Sequence, residues 1–393
     1  MCVGNNAAWF CCFTMALMLL TGGLARFDEC RSATILTNSH DVILQLTDPV
    51  APGEPPRVYR VKAEVDQHGS PKGYSLQFTT HVCIDDQCRA VTIIMRWDAL
   101  GRYQSLETPE HLPLTRKKHT PFTPEDYQHL DRILKDSQSV LKNYSLESLA
   151  ASTQVADEAG LDGVSGATPL SVKNAVVPDA AYTTWTMWHW ANGEIVEKLK
   201  TATTQRATID FLKQLLDSEV PTDMEFALRT LIEGDADRGA VEQSLVDSVW
   251  KALHRSDREL ASLALNFLSR NEPDIAGFHE SLIESIFLMR KNYSAVILEY
   301  FAEQTNLPIE TMEKLVLAVD RMPYFQLHTT LNLLEQNAFW SPLVESQLTM
   351  LLDHDNFFIA RRCFEALSAR SHLNETTHER MASFRHKHQD RLR

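Results

Sequence analysis

Seven consecutive residues, Asp162-Gly163-Val164-Ser165-Gly166-Ala167-Thr168, end a run of small side chains on a hydroxyl, and Pro169 follows at once. The glycines and the alanine leave almost nothing in the way of another molecule approaching the backbone. Pro169 suits the first position of a helix, where its missing N–H costs nothing. That places Thr168 at the N-cap of a segment running to Val177. A helix N-terminus offers free N–H groups and partial positive charge, so a phosphate is well placed there. The same residues also suit an ordinary glycine-rich turn capping a helix, with Ser165 and Thr168 as local hydrogen-bonding groups.

The run resembles the flavinylation signal of FMN-binding domains, as in subunits of the sodium-translocating NADH:quinone reductase and the Rnf electron-transport complex. The family pattern is Asp-Gly-any-Ser/Thr-Gly-Ala-Ser/Thr, and every position is satisfied here. The resemblance implies that Thr168 carries FMN through a phosphoester, installed by a flavin transferase from FAD with a divalent metal in the transferase. Asp162, Gly163, Ser165, Gly166 and Ala167 would form the loop that the transferase recognises. No metal is implied in the mature protein. The cofactor would do the redox chemistry while the chain holds and tunes it, so no catalytic residue is implied.

A chain of 393 residues has room for two or three domains. The net charge of −14 argues against nucleic acid as the main partner and leaves no polybasic patch for an anionic membrane. The last residues, His386 to Arg393, are locally basic. Ala7 to Leu20 is apolar and Gly23-Leu24-Ala25 supplies small residues, so residues 1–25 read as an export signal. Met1 to Phe10 holds no Lys or Arg, and an uncleaved membrane anchor is the alternative. An exported chain, periplasmic or otherwise extracytoplasmic, is the expectation. Cys83 and Cys88 flank a polar loop between two strand-like runs, which would bring their sulfurs face to face. A disulfide there suits an oxidising compartment; two unpaired thiols suit the spacing equally. No Cys-x-x-Cys suggests zinc, an iron–sulfur cluster or attached haem.

The elements that would position the run come in two blocks. Residues 41–193 read as an α+β domain. Candidate strands with period-two alternation are Val42–Leu46, Val58–Val65, Tyr74–Val82, Arg89–Trp97 and Arg102–Leu106, an antiparallel sheet. Thr123-Pro124-Glu125-Asp126 starts a helix whose apolar face is Tyr127, Leu130 and Leu134. Ser145 would cap a short helix, and Asp179 one that ends near Gly193. Tyr182, Trp185 and His189 share a stripe on the latter, beside Trp188; it could wall a flavin, though aromatic residues at helical spacing more often pack a core. Arg116, Lys117, Lys118 and His119 could neutralise a phosphate, with a solvated charge run the blander reading. Sheet, helix and glycine-rich loop come in an order similar to that of the FMN-binding family.

Residues 194–393 carry amphipathic helices alone. Similar segments begin near Asp223, Asp257, Asn292, Pro323 and Asp355, which suggests stacked helix pairs, a HEAT-like α-solenoid; an irregular bundle is the alternative. No nucleophile elbow, Walker loop or dinucleotide fingerprint is present, so direct NADH oxidation is not supported. The expectation is a covalently flavinylated electron carrier, with a membrane or periplasmic protein as redox partner and the helical repeats as docking surface. Two rivals are a non-redox interaction protein, in which the repeats work and the small domain is structural, and a reductase with its own small substrate.

Overall fold

A computed structural model describes residues 39–82, 90–116, 119–149, 174–234, 241–289, 293–304 and 306–392. These fall in one compact unit, Thr37–Arg393. Five strands form one antiparallel sheet in sequence order: β1 Ser39–Leu46, β2 Arg57–Val65, β3 Pro71–Thr80, β4 Val91–Asp98 and β5 Tyr103–Glu107. They coincide with the expected strands apart from a few residues at their ends. The alternation decides which face is buried: Leu44, Val61, Tyr74, Leu76, Ile93, Met95 and Trp97 point to one side and are nearly inaccessible. The other face carries polar cross-strand pairs, among them Thr79–Thr92 at 3.2 Å and Arg96–Glu107 at 2.5 Å.

Helix α1, Pro124–Lys135, starts as its sequence demands. The Thr123 hydroxyl accepts from the Asp126 N–H, and the Asp126 carboxylate accepts from the Thr123 N–H, a reciprocal cap. Leu130 and Leu134 are buried, and the half-buried Tyr127 hydroxyl accepts from the Leu114 N–H at 2.9 Å. Two further helices cover the sheet core, α2 (Ala181–Asn192) and α3 (Glu194–Thr204). Asp179 does not cap α2. It takes a left-handed φ of 56°, and the N-cap is Ala180, with no side-chain bond. A short polar side chain tolerates that backbone state, so Asp179 makes the turn into the helix. Ser145 does act as expected, accepting from the Ser148 N–H.

The remaining helices form the C-terminal region: α4 Ile209–Asp217, α5 Pro221–Glu233, α6 Gln243–Arg255, α7 Arg258–Arg270, α8 Phe278–Leu288, α9 Ala295–Glu303, α10 Ile309–Leu317, α11 Tyr324–Gln336, α12 Pro342–Met350, α13 Phe357–Ser368 and α14 Glu375–Lys387. Packing sorts them into two rows. One row holds α4, α6, α8, α10, α12 and α14, and the other α5, α7, α9, α11 and α13; across the rows α4 packs on α5, α6 on α7, α8 on α9, α10 on α11 and α12 on α13. The five segments singled out by similarity are the second row. Bonds between successive members of a row recur at like separations: Lys213–Ser244 and His254–Ser285 span 31 residues, Thr311–His279 and Gln326–Ser294 span 32. Such recurrence at similar intervals is what repeated helix pairs produce.

Two hydrophobic cores result. The sheet core runs from Leu44 to Ala202 and the helical core from Leu212 to Phe384. Between them lies a polar junction. The Tyr74 hydroxyl is 2.7 Å from the Thr203 hydroxyl, which donates to the Ala99 carbonyl at 2.5 Å. Arg102 binds Asp98 at 2.6 Å and Asp223 of α5 at 2.7 Å. Gly101, at φ +76°, sits so close to α3 that an added Cβ would lie 3.0 Å from the Val196 carbonyl oxygen. Among the described residues no helix is long and apolar enough to cross a membrane.

Candidate functional site

The run Asp162–Thr168 lies outside the described residues, as do Cys83, Cys88, Lys117, Lys118 and residues 1–25. The chain is described again from Asn174, six residues beyond Thr168.

Asn174 and Ala175 form one wall of an open crevice of about 530 Å³. The other walls are the last turns of α1, with His129, Arg132 and Asp136, and the turn that follows, with Gln138, Ser139 and Val140. The volume lies within the ~300–1,000 Å³ usual for small-molecule sites. His129, Arg132 and Asp136 recur at intervals of three and four along the helix, which sets them side by side on its polar face. Arg132 is exposed and makes no ion pair among the described residues. Asp136 ends the helix; its Oδ1 accepts from the Gln138 N–H at 3.0 Å.

The aromatic helix α2 builds this wall from behind. Trp188 Nε1 donates to the Asp136 carbonyl at 2.9 Å and Trp185 Nε1 to the Tyr144 carbonyl at 2.7 Å. Asn192 donates to the Leu134 carbonyl at 3.0 Å, and His189 Nε2 lies 3.2 Å from the Leu141 carbonyl. Trp185 and Trp188 are buried. The stripe is therefore core, the blander of its two readings, and it pins the backbone carbonyls between residues 134 and 144. Burial pushes the His189 imidazole below its usual range, partly countered by its bond to the Leu141 carbonyl. It is neutral at pH 7, with the Nε2 proton on that carbonyl.

Arg116 is committed elsewhere. Its guanidinium holds the Asp126 carboxylate at 2.5 and 2.7 Å. Burial alone would raise that carboxyl, but the Thr123 N–H and the guanidinium outweigh it and hold it below the usual range. The structure thus gives Arg116 a scaffold role and removes it from the residues free to neutralise a phosphate.

Other arrangements carry less. A second cavity, about 170 Å³ between Leu46, Asp48, Trp190 and Glu194, is too small for a three-ring cofactor. The Ser285 hydroxyl gives its proton to the Ser281 carbonyl at 2.7 Å and accepts from His254, so the pair is no activated nucleophile. Among the described residues no three His, Cys, Asp or Glu side chains are grouped to hold a metal. Cys363 is free and buried, its thiol pushed up to about 12 by burial.

Sequence reasoning found the run and α1 but not the crevice. The signal was available: a His, an Arg and an Asp spaced along the polar face of a helix whose apolar face had been recognised. No family model matches this chain, and no curated protein matches it in sequence.

Proposed function

We infer that this chain is an exported electron-transfer flavoprotein, with FMN joined to Thr168 by a phosphoester and a HEAT-like solenoid as the docking domain for its redox partner. The observation that carries the reading is the run Asp162–Thr168, in which every position fits the flavinylation pattern. The fold supports it: an antiparallel sheet backed by helices precedes the run, and a crevice of suitable size lies beside the point where the chain continues.

FMN supplies reversible one- and two-electron chemistry when bound. The chain's part is to present the Thr168 hydroxyl to a flavin transferase and then to keep the ring near a partner. Covalency suits an exported protein, because a released flavin would not be replaced outside the cytosol. A phosphoester removes dissociation, so affinity no longer limits occupancy. The partners are the transferase and a membrane or periplasmic redox protein; nucleic acid is not one.

Co-expression with an active flavin transferase tests this. The denatured band should fluoresce, lose its flavin on Thr168→Ala and keep it on Ser171→Ala. An unmodified band beside fully loaded acceptors in the same cell refutes the reading.

One observation bears equally on the rival, a non-redox interaction protein. Leu288, Leu317 and Met350 end α8, α10 and α12, while Phe325 and Phe358 begin the helices that follow α10 and α12. All five are exposed, along the edge where the two rows are joined. Exposed apolar side chains that cluster into a patch mark interaction sites, and these five are candidates for one. Such an edge serves either function, and the flavin band decides between them.

A further inference from the structure

We propose that the polar cluster of His328, Asn332 and Arg362, where α13 packs on α11, binds a carboxylate that a partner protein carries beside an apolar group. The proposal concerns the helical rows alone and stands whether or not the chain carries flavin. Arg362 is 9% exposed, and its guanidinium reaches α11 as a fork. Its Nε donates to His328 Nδ1 at 3.2 Å. Its Nη2 donates to Asn332 Oδ1 and to Glu335 Oε1, both at 2.9 Å. On the far side of the fork, His328 Nε2 lies 3.1 Å from Asn332 Nδ2.

His328, Asn332 and Arg362 cannot satisfy one another. A guanidinium only donates, so His328 Nδ1 must accept and the ring proton must sit on Nε2. That N–H then faces the N–H groups of the Asn332 amide. Turning the amide over would give the imidazole its acceptor, but would set the amide nitrogen against Arg362 Nη2. The contacts of His328 with Arg362, of Arg362 with Asn332 and of Asn332 with His328 thus share two acceptors, His328 Nδ1 and Asn332 Oδ1. In either amide orientation, one pair of donors meets with no acceptor between them. A donor left in that way costs free energy, more so the less water reaches it.

The group that suits two adjacent N–H donors is one that only accepts. A carboxylate offers two such oxygens, whereas a hydroxyl or an amide brings donors of its own. His328 and Asn332 are half-buried, so their N–H groups are within reach of an incoming side chain. Glu335, the acid of this cluster, is matched by Arg362 at 2.9 Å. An aromatic shelf adjoins the donors. Tyr324 stacks on His328 at 5.9 Å, and the exposed Phe358 meets Tyr324 edge-on at 6.2 Å. The shelf favours an apolar group next to the carboxylate.

The test is the thermal midpoint of the full-length protein as parent, Asn332→Asp and Gln205→Glu, the last an equal change of charge at the exposed end of α3. Asn332→Asp supplies a built-in acceptor to both His328 Nε2 and Arg362 Nη2. It should therefore melt higher than the parent, although it adds negative charge to a chain already at −14. Gln205→Glu should melt no higher than the parent. Sodium 3-phenylpropionate is the probe, with sodium chloride at the same concentration as its reference. A ligand that binds the folded state raises the midpoint by mass action. The probe should raise the parent and Gln205→Glu alike and saturably, and 3-phenylpropanol should not. Asn332→Asp should lose the response, because its own carboxylate takes the donors and repels the probe. A parent that does not respond, an equal response to the alcohol, an equal response in Asn332→Asp, or an Asn332→Asp that melts at or below the parent overturns the proposal. None of these readings depends on flavin, whose attachment is judged separately on the denatured band.

Discussion

Replacing Thr203 by valine should expose what joins the sheet to the helices. Thr203 is fully buried, and its one hydroxyl proton goes to the Ala99 carbonyl at 2.5 Å. The Tyr74 hydroxyl, 2.7 Å away and 2% exposed, must therefore be the donor to Thr203. Burial pushes the Tyr74 phenol up, so it keeps its proton across the neutral range. Valine matches threonine in shape and removes both bonds at once. The phenol then has no acceptor at Thr203, and Ala99 loses the Thr203 donor. Removing one partner of a buried hydrogen bond costs about 1–3 kcal/mol, so with two groups left short Thr203→Val should cost about 2–6 kcal/mol.

Tyr74→Phe takes away the orphan together with the bond and should cost about 1 kcal/mol. The double variant should then be less destabilised than the sum of the singles, by about 1 kcal/mol or more. Urea unfolding followed by tryptophan fluorescence reads this as a shift in midpoint at constant slope. Trp97 is a suitable reporter, since its indole lies in the same core and donates to the Ala191 carbonyl at 2.8 Å. If Thr203→Val stays within about 0.5 kcal/mol of the parent, or the double variant equals the sum, the hydroxyl chain is not what holds the junction.

Two other perturbations probe the same scaffold. Gly101→Ala should cost about 2–3 kcal/mol, because a left-handed φ and a Cβ against the Val196 carbonyl act together. Gly53→Ala, with nothing within 4 Å, should leave the thermal midpoint within the range of a surface change. His189 and His254 are half-buried, and the loss of water around each lowers it in the folded state. The unfolded chain takes up these protons first, at about pH 6.5. Stability from this source is therefore whole above that pH and falls as the pH drops toward the folded values. His189→Gln keeps a donor for the Leu141 carbonyl and should flatten the fall in thermal midpoint between about pH 7 and pH 5. Parent and variant curves of equal slope would show that the half-buried His189 does not contribute to this fall.

The sheet was legible because its pattern has a period of two and because turn residues such as Gly69 and Gly101 interrupt it. Helix α1 was legible from Thr123, Pro124 and Asp126, whose types fit one place in a helix. The helix pairs could be read in part. The second row showed as five similar segments, while the first row alternates with it and carries the more ordinary amphipathic pattern. What could not be read was who meets whom. Trp185, Trp188 and His189 have the spacing of a flavin wall and of a core, and only their partners, the carbonyls of Tyr144, Asp136 and Leu141, decide between the two. Arg116 had the type of a phosphate ligand, but Asp126, ten residues on, engages it. Asp179 had the type of a cap and serves a turn instead. Local chemistry proposes a role in each case; the tertiary partner selects it.

One elbow ties the candidate site to the rest of the molecule. Helices α2 and α3 meet at Gly193, where an added Cβ would fall 2.3 Å from the His189 carbonyl oxygen. Only a residue without a side chain lets the two helices turn so tightly. Before the elbow, α2 bonds to the carbonyls that shape the crevice. After it, α3 sends Thr203 to Ala99, and Glu194 accepts from the Thr47 N–H beside the edge strand at 3.0 Å. The helical rows begin a few residues further on, and Arg102 fastens them to the sheet through Asp223. The polar bonds of α2 fix the wall of the crevice from the buried side. The carbonyls at the end of α1 are thus held by the same elbow that joins the sheet to the helical rows.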